Sequence, residues 1–216
     1  MFRVLTISRE YGSGGVRIGQ GIAEKLEWKL LDKAFIDNIA RAAKVDPQLA
    51  QRFDKRTDSW LTRLGRQGLW IGALEGGAVI SQKNLFDAET MAVLSQKTIE
   101  EAYREGSCVI VGRGGQCVLH NRKDVFHAFI YGPWAQKLKE VRRRVPEKED
   151  IEEVIRSMDR QRADYIRRYF RCNWMDPHLY HLMMCSALGE NTVQSIIIEA
   201  LASEGKQCGP AAQVPA

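Results

Sequence analysis

No apolar run in these 216 residues approaches the length needed to span a bilayer, which argues against a helical membrane protein. The chain enters an apolar strand at once, without a basic region and long apolar stretch ahead of it, so no secretory signal is read and a cytoplasmic location is expected. Cysteine is scarce and carries no pattern. Cys108, Cys117, Cys172, Cys185 and Cys208 are odd in number and widely spaced, with no C-x-x-C and no histidine pair at metal spacing. That excludes a disulfide framework and argues against a zinc site, so no metal ligands are assigned. His120 and His127, around a turn, read as structural. Aromatic residues do not alternate with basic ones as a base-stacking platform requires, which weighs against nucleic acid as the partner. No internal repeat is present.

What is there is ordinary and globular. With 44% hydrophobic and 27% charged residues the chain can build one sizeable core and is too short for two. The net charge of +5 is concentrated between Lys137 and Arg171, as a phosphate-rich ligand would require. The spacing predicts one α/β domain over 1–203, with an insertion at 45–84 and a tail at 204–216 too poor in apolar residues to fold alone. The apolar strands are Val4 to Ile7, Trp28 to Leu31, Cys108 to Val111, Val125 to Tyr131 and Tyr180 to Cys185. Helical periodicity is read over 16–27, Lys33 to Ala43, Ala88 to Glu105, Trp134 to Arg144, Pro146 to about Phe170 and Glu190 to Ala202. Strand–helix alternation of this kind implies a parallel sheet.

The first strand leads into Gly12-Ser13-Gly14-Gly15 and then a helix, the order of a phosphate cradle, in which loop and first-turn amides face an anion. Asp32 follows the second strand and Gly112-Arg113-Gly114 the third. In open parallel sheets ligands bind beyond the carboxyl ends of strands, so these segments converge on one site. Arg160, Arg167 and Arg171, with Asp164 among them, fall along one helical stripe and read as a phosphate clamp.

Leu5-Thr6-Ile7-Ser8-Arg9-Glu10-Tyr11-Gly12-Ser13-Gly14-Gly15, with Asp32, Gly112-Arg113-Gly114 and Arg160-Gln161-Arg162-Ala163-Asp164-Tyr165-Ile166-Arg167, resembles the cytidylate kinase-like family of P-loop nucleoside monophosphate kinases. The resemblance covers roughly residues 2 to 200. It implies a three-layer α/β/α P-loop fold around a mostly parallel five-stranded sheet, a helical monophosphate-binding insertion at 45–84 and a lid at 146–176. It further implies ATP with Mg2+ as donor and a nucleoside monophosphate, CMP or dCMP, as acceptor. Arg9, Gly12, Ser13, Gly14, Gly15, Val16 and Arg17 would bind the donor, Asp32, Arg113 and Asp164 the acceptor, and Arg160, Arg167 and Arg17 would act on the transferring group. A homodimer is compatible with the sequence.

Departures from that pattern leave alternatives open. In G-x-x-x-x-G-K-[ST] the lysine position holds Gly15, the following hydroxyl position Val16 and the first glycine position Arg9. Arg17 and Arg9 are the nearest cations to replace the lysine. Gly114 and Gln161 stand where the family carries carboxylates that read the pyrimidine. A phosphate-ligand sensor without turnover, or a kinase for another small acceptor, therefore remains beside the nucleotide kinase.

Overall fold

The computed structural model describes residues 1–32, 88–146 and 149–203. The helix expected over 33–43, the insertion at 45–84 and the tail at 204–216 lie outside the described residues. Strand β1 runs Val4–Arg9, helix α1 Gly15–Leu26 and strand β2 Lys29–Leu31. Helix α2 (Ala88–Glu105) leads to β3 (Cys108–Val111), a short α3 (Gly115–Val118) and β4 (Val125–Tyr131). Helices α4 (Trp134–Arg142) and α5 (Ile151–Phe170) follow, then β5 (Leu182–Cys185) and α6 (Glu190–Ala202).

The five strands form one sheet in the order β2-β3-β1-β4-β5. Every pairing is parallel, with Val4 opposite both Cys108 and Val125. The expected α/β/α layering with a central parallel sheet is the architecture found. Because the chain places β2 and β3 on one side of β1 and β4 on the other, the sheet changes direction beside β1. Such a switch point opens a crevice at the carboxyl ends of the strands.

Side chains alternate across a strand, so the two faces of β1 and β4 differ. Leu5, Ile7, Phe126, Ala128 and Ile130 join Ile18 and Ile22 of α1 and Val193, Ile197 and Leu201 of α6 in one core. On the other face Phe129 is fully buried, with Trp174 and Tyr180 edge-on to it at centroid distances of 5.3 and 5.1 Å. Ile166 of α5 and Cys117 of α3 close this second core. Thr6, Ser8 and His127 share that face and are buried polar groups. The register sets Thr6 beside His127, and the threonine Oγ1 lies 2.7 Å from the imidazole Nδ1.

The ends of β1, β2, α1 and α4 shift from the sequence reading by one or two residues, and three further differences have local reasons. Helix α5 begins at Ile151 rather than Pro146 because the Asp150 side chain accepts hydrogen bonds from the Glu152 and Glu153 amides and so caps it. Strand β5 starts at Leu182 rather than Tyr180, since the Tyr180 amide closes a 3-10 turn over Pro177–Leu179. The turn after β3 continues into α3, too short for periodicity to reveal.

Burial pushes His127 down to about 3, and the neighbouring His181 and His120 act in the same direction. An unfolded histidine titrates near 6.5, so between these values only the unfolded chain takes up the proton. This stability is complete above about pH 6.5 and is lost as pH falls toward 3. Thermal midpoints should decline from pH 7 to pH 5 while NMR shows the His127 ring neutral in the folded protein. A folded-state His127 that titrates near its ordinary value would sink this account.

Candidate functional site

Residues Glu10 to Gly14 wrap from the end of β1 to the start of α1. Gly12 and Gly14 adopt left-handed backbone (φ 79° and 78°), and the buried Ser13 hydroxyl donates to the Glu10 carbonyl at 2.9 Å, fixing the turn. No side chain caps α1, and its first turn contains no acidic residue. Its first amides and the positive end of its dipole are thus left for an anion. Gly12, Ser13 and Gly14 thus turn the chain from β1 into α1, whose first residue is Gly15.

The glycine at the lysine position has a steric cause. A Cβ on Gly15 would lie 2.6 Å from Arg9 Cβ and 3.0 Å from Arg9 Cγ. The stem of Arg9 occupies that space, and its Nη1 reaches to 2.0 Å from where a Cβ of Gly112 would stand. Arg9 and the two glycines are therefore one arrangement, with a guanidinium spanning from the end of β1 to the end of β3.

Beyond β3, Gly112, Arg113 and Gly114 are all left-handed, at φ 79°, 54° and 76°. For arginine that conformation costs on the order of 1 kcal/mol, a strain that clusters at ligand sites. Gly114 cannot be the aspartate of the family pattern here, because its Cβ would fall 2.4 Å from Phe170 Cε2. The aromatic ring at the end of α5 fills the place of the missing carboxylate.

Arg9, Arg113 and Arg162 line one cavity with Ser8, Gln116 and Trp174. Its volume of ≈ 30 Å³ admits about two waters, so an acceptor needs the surrounding elements to part. Burial, then the neighbouring Arg162 and Arg113, push Arg9 down to about 9, partly offset by Asp32 and Asp159. It remains a cation at neutral pH. Burial likewise lowers Arg162, with Asp159 opposing. Arg9 Nε and Gln116 Nε2 are buried without a hydrogen-bond partner among the described residues. Clustered cations and unmet donors give this cavity the chemistry to hold an anion.

The proposed clamp residues fall elsewhere. Arg160 pairs with Glu153, and Arg167 with Asp164 at 2.9 Å, all four more than half exposed. Arg171 follows the helix as its left-handed cap. Helix α5 turns Ile151, Ile155 and Ile166 inward, and Asp159 and Arg162 share that face. The offsets i, i+4, i+8, i+11 and i+15 from Ile151 are the sequence signal for Arg162, since they place it on the same face as the buried isoleucines. Arg17 sits at the mouth of the loop but is held by Glu140 and by Glu190 at 2.6 Å. Arg9, not Arg17, is the loop cation that enters the cavity. Val16 is partly exposed, and Ser13 has turned its hydroxyl inward, so the loop side chains do not fit a magnesium ligand.

A family model described as the cytidylate kinase-like family matches residues 4–188. No curated protein matches the sequence. Among solved structures, an uncharacterized protein from Eubacterium ventriosum ATCC 27560 is similar with a TM-score of 0.66 at 21% identity, over 94% of this chain and 99% of that one. Shikimate kinase from Bacteroides thetaiotaomicron gives 0.51 at 13%, over 92% and 97% of the two chains. Shikimate kinase from Acinetobacter baumannii, in complex with shikimate, gives 0.52 at 15%, over 96% and 97%. At these identities the likeness is one of fold.

Installing the missing lysine tests the steric argument. Gly15→Lys should lower stability by about 1–3 kcal/mol, as overpacking does, because Arg9 must move. Arg9→Gly combined with Gly15→Lys should recover most of that loss in denaturant titrations. Additive losses would mean that the two positions do not share space.

Proposed function

We propose that this chain, which belongs to the cytidylate kinase-like family, transfers the γ-phosphoryl of ATP to a nucleoside monophosphate, with CMP or dCMP first in order. Family membership establishes the kinase-like class; the acceptor is our reading. The observation that carries it is the convergence of Arg9, Arg113 and Arg162 on one cavity beyond β1 and β3, beside the uncapped start of α1.

In this reading the loop amides hold the donor phosphates and Arg9 takes the part of the absent lysine. A guanidinium grips phosphate with paired donors, so the exchange suits the chemistry. Arg162 neutralises the transferring group from above, and Arg113 with Asp32 positions the acceptor phosphate. The bond from the γ-phosphorus to its bridging oxygen breaks, and its electron pair leaves with ADP. A new bond forms to an oxygen of the acceptor phosphate. That oxygen is already anionic, so no base is required and the residues work by placement and charge. Magnesium use follows in general from a kinase-like family, and no step here is assigned to it. No helix among the described residues is long and apolar enough to cross a membrane, which suits the cytoplasmic supply of ATP.

A second reading, a kinase for another small acceptor, is favoured by Phe170 filling the carboxylate position at Gly114. The shikimate kinases of similar fold make shikimate a fair member of the test panel.

The experiment is ADP release with ATP, magnesium and a panel of nucleoside monophosphates plus shikimate, against a no-acceptor control. CMP or dCMP should give the largest acceptor-dependent rate. A response to shikimate alone selects the second reading, and silence across the panel while ATP still binds removes turnover. Arg9→Met should then reduce kcat by about 10²–10³, the usual loss of a donor to transition-state charge. Arg160→Ala should stay within about twofold, as exposed substitutions do.

A further inference from the structure

Above the loop lies an ion cluster centred on Lys137. Lys137, on α4, is a buried lysine whose side chain is 6% exposed. Its Nζ stands 3.1 Å from Glu10 Oε2 and 3.3 Å from Asp159 Oδ2. The Gly132 amide also donates to Glu10 Oε2, which anchors that carboxylate to the end of β4. Asp159 accepts more: the Tyr11 amide donates to its Oδ1 at 2.7 Å and Arg162 Nη1 at 3.0 Å. Arg162 donates as well to the Arg9 carbonyl at 3.1 Å. A loop amide, an ammonium from α4 and a guanidinium from α5 thus meet on a single carboxylate.

That donor set is what a phosphate group would select. We propose that Asp159 is a built-in occupant of the donor-phosphate cradle, and that Tyr11 N–H, Lys137 and Arg162 pass from it to the donor polyphosphate on binding. This rests on the kinase reading and deepens it. Lys137 becomes the second phosphate-binding cation of a loop that lacks its own lysine, approaching from α4 where the backbone of Lys137 packs on Gly12. Without ligand, the carboxylate keeps Lys137, Arg162 and Arg9 from facing one another uncompensated. With ligand, a polyphosphate brings more negative charge to the same donors and displaces it, while Glu10 retains its hold on Lys137. The Asp159 side chain turns away while α5 stays in place and keeps Arg162 on the bound phosphate.

A self-ligand scales apparent affinity by the fraction of molecules it leaves open, so a site filled nine-tenths of the time binds about tenfold more weakly. The test is calorimetry with inorganic tripolyphosphate on the full chain, wild type beside Asp159→Asn and Lys137→Met, with thermal melts to show that each folds. Asp159→Asn should tighten binding about three- to tenfold and Lys137→Met weaken it about tenfold. A merely structural ion pair moves both variants the same way, and that result overturns the proposal. Wild-type protein gives a reading free of variants: the Asp159 carboxyl resonance and the Tyr11 amide should shift together as tripolyphosphate saturates. A carboxyl that stays unmoved with polyphosphate bound overturns it too. These outcomes with no acceptor-dependent ADP release would refute the kinase reading while leaving the cradle exchange standing. Release of ADP with unmoved Asp159 would do the reverse.

Discussion

The stem of Arg9 lying across Gly15 decides how this phosphate loop is built. A side chain at the start of the loop and a side chain at the lysine position compete for one volume, and here the first has it. The guanidinium then extends toward Gly112, whose lack of a Cβ gives it room, and meets Arg113 and Arg162 in a cavity too small for an acceptor. Burial and like charge lower Arg9 substantially. A site so loaded with cations is stable only with anions close at hand, which Asp32 and Asp159 supply within the protein and a phosphate would supply from outside.

The same electrostatics link the loop to α5. Asp159 and Arg162 are the polar members of a helix face otherwise made of isoleucines, so packing that face against the sheet and α4 brings both groups onto the loop. The helix is held by core contacts and by charge-assisted hydrogen bonds worth about 1.5–3 kcal/mol each, of which the latter respond to an incoming anion. Lys137 connects to this pair and to Glu10, so three elements distant in sequence share one small network.

Much of the architecture was legible without coordinates. The boundaries of α2, β3, β4 and α6 follow from apolar period and from Gly106, Gly132 and Gly189 as breaks, all local signals. The cradle was legible because strand, glycine loop and helix are consecutive. The lid arginines were less so: a stripe of Arg160, Arg167 and Arg171 can be counted from sequence, but which stripe faces inward depends on where Ile155 and Ile166 pack. Arg17 looked available on spacing alone, and its partners Glu140 and Glu190 are more than a hundred residues away.

The order of residues alone sets a parallel α/β sheet opening on a glycine cradle, because hydrophobic period, turn residues and capping are properties of neighbouring positions. It also determined that the ordinary lysine and magnesium hydroxyl are absent. Which cations lie against the loop is a matter of packing. Whether Arg9 or Arg17 enters the cavity, whether Asp159 reaches the Tyr11 amide and whether Lys137 is buried beside Glu10 are questions of volume and charge between distant segments. Such competition has no signature in local spacing, since its outcome is set by which side chain the assembled core leaves room for.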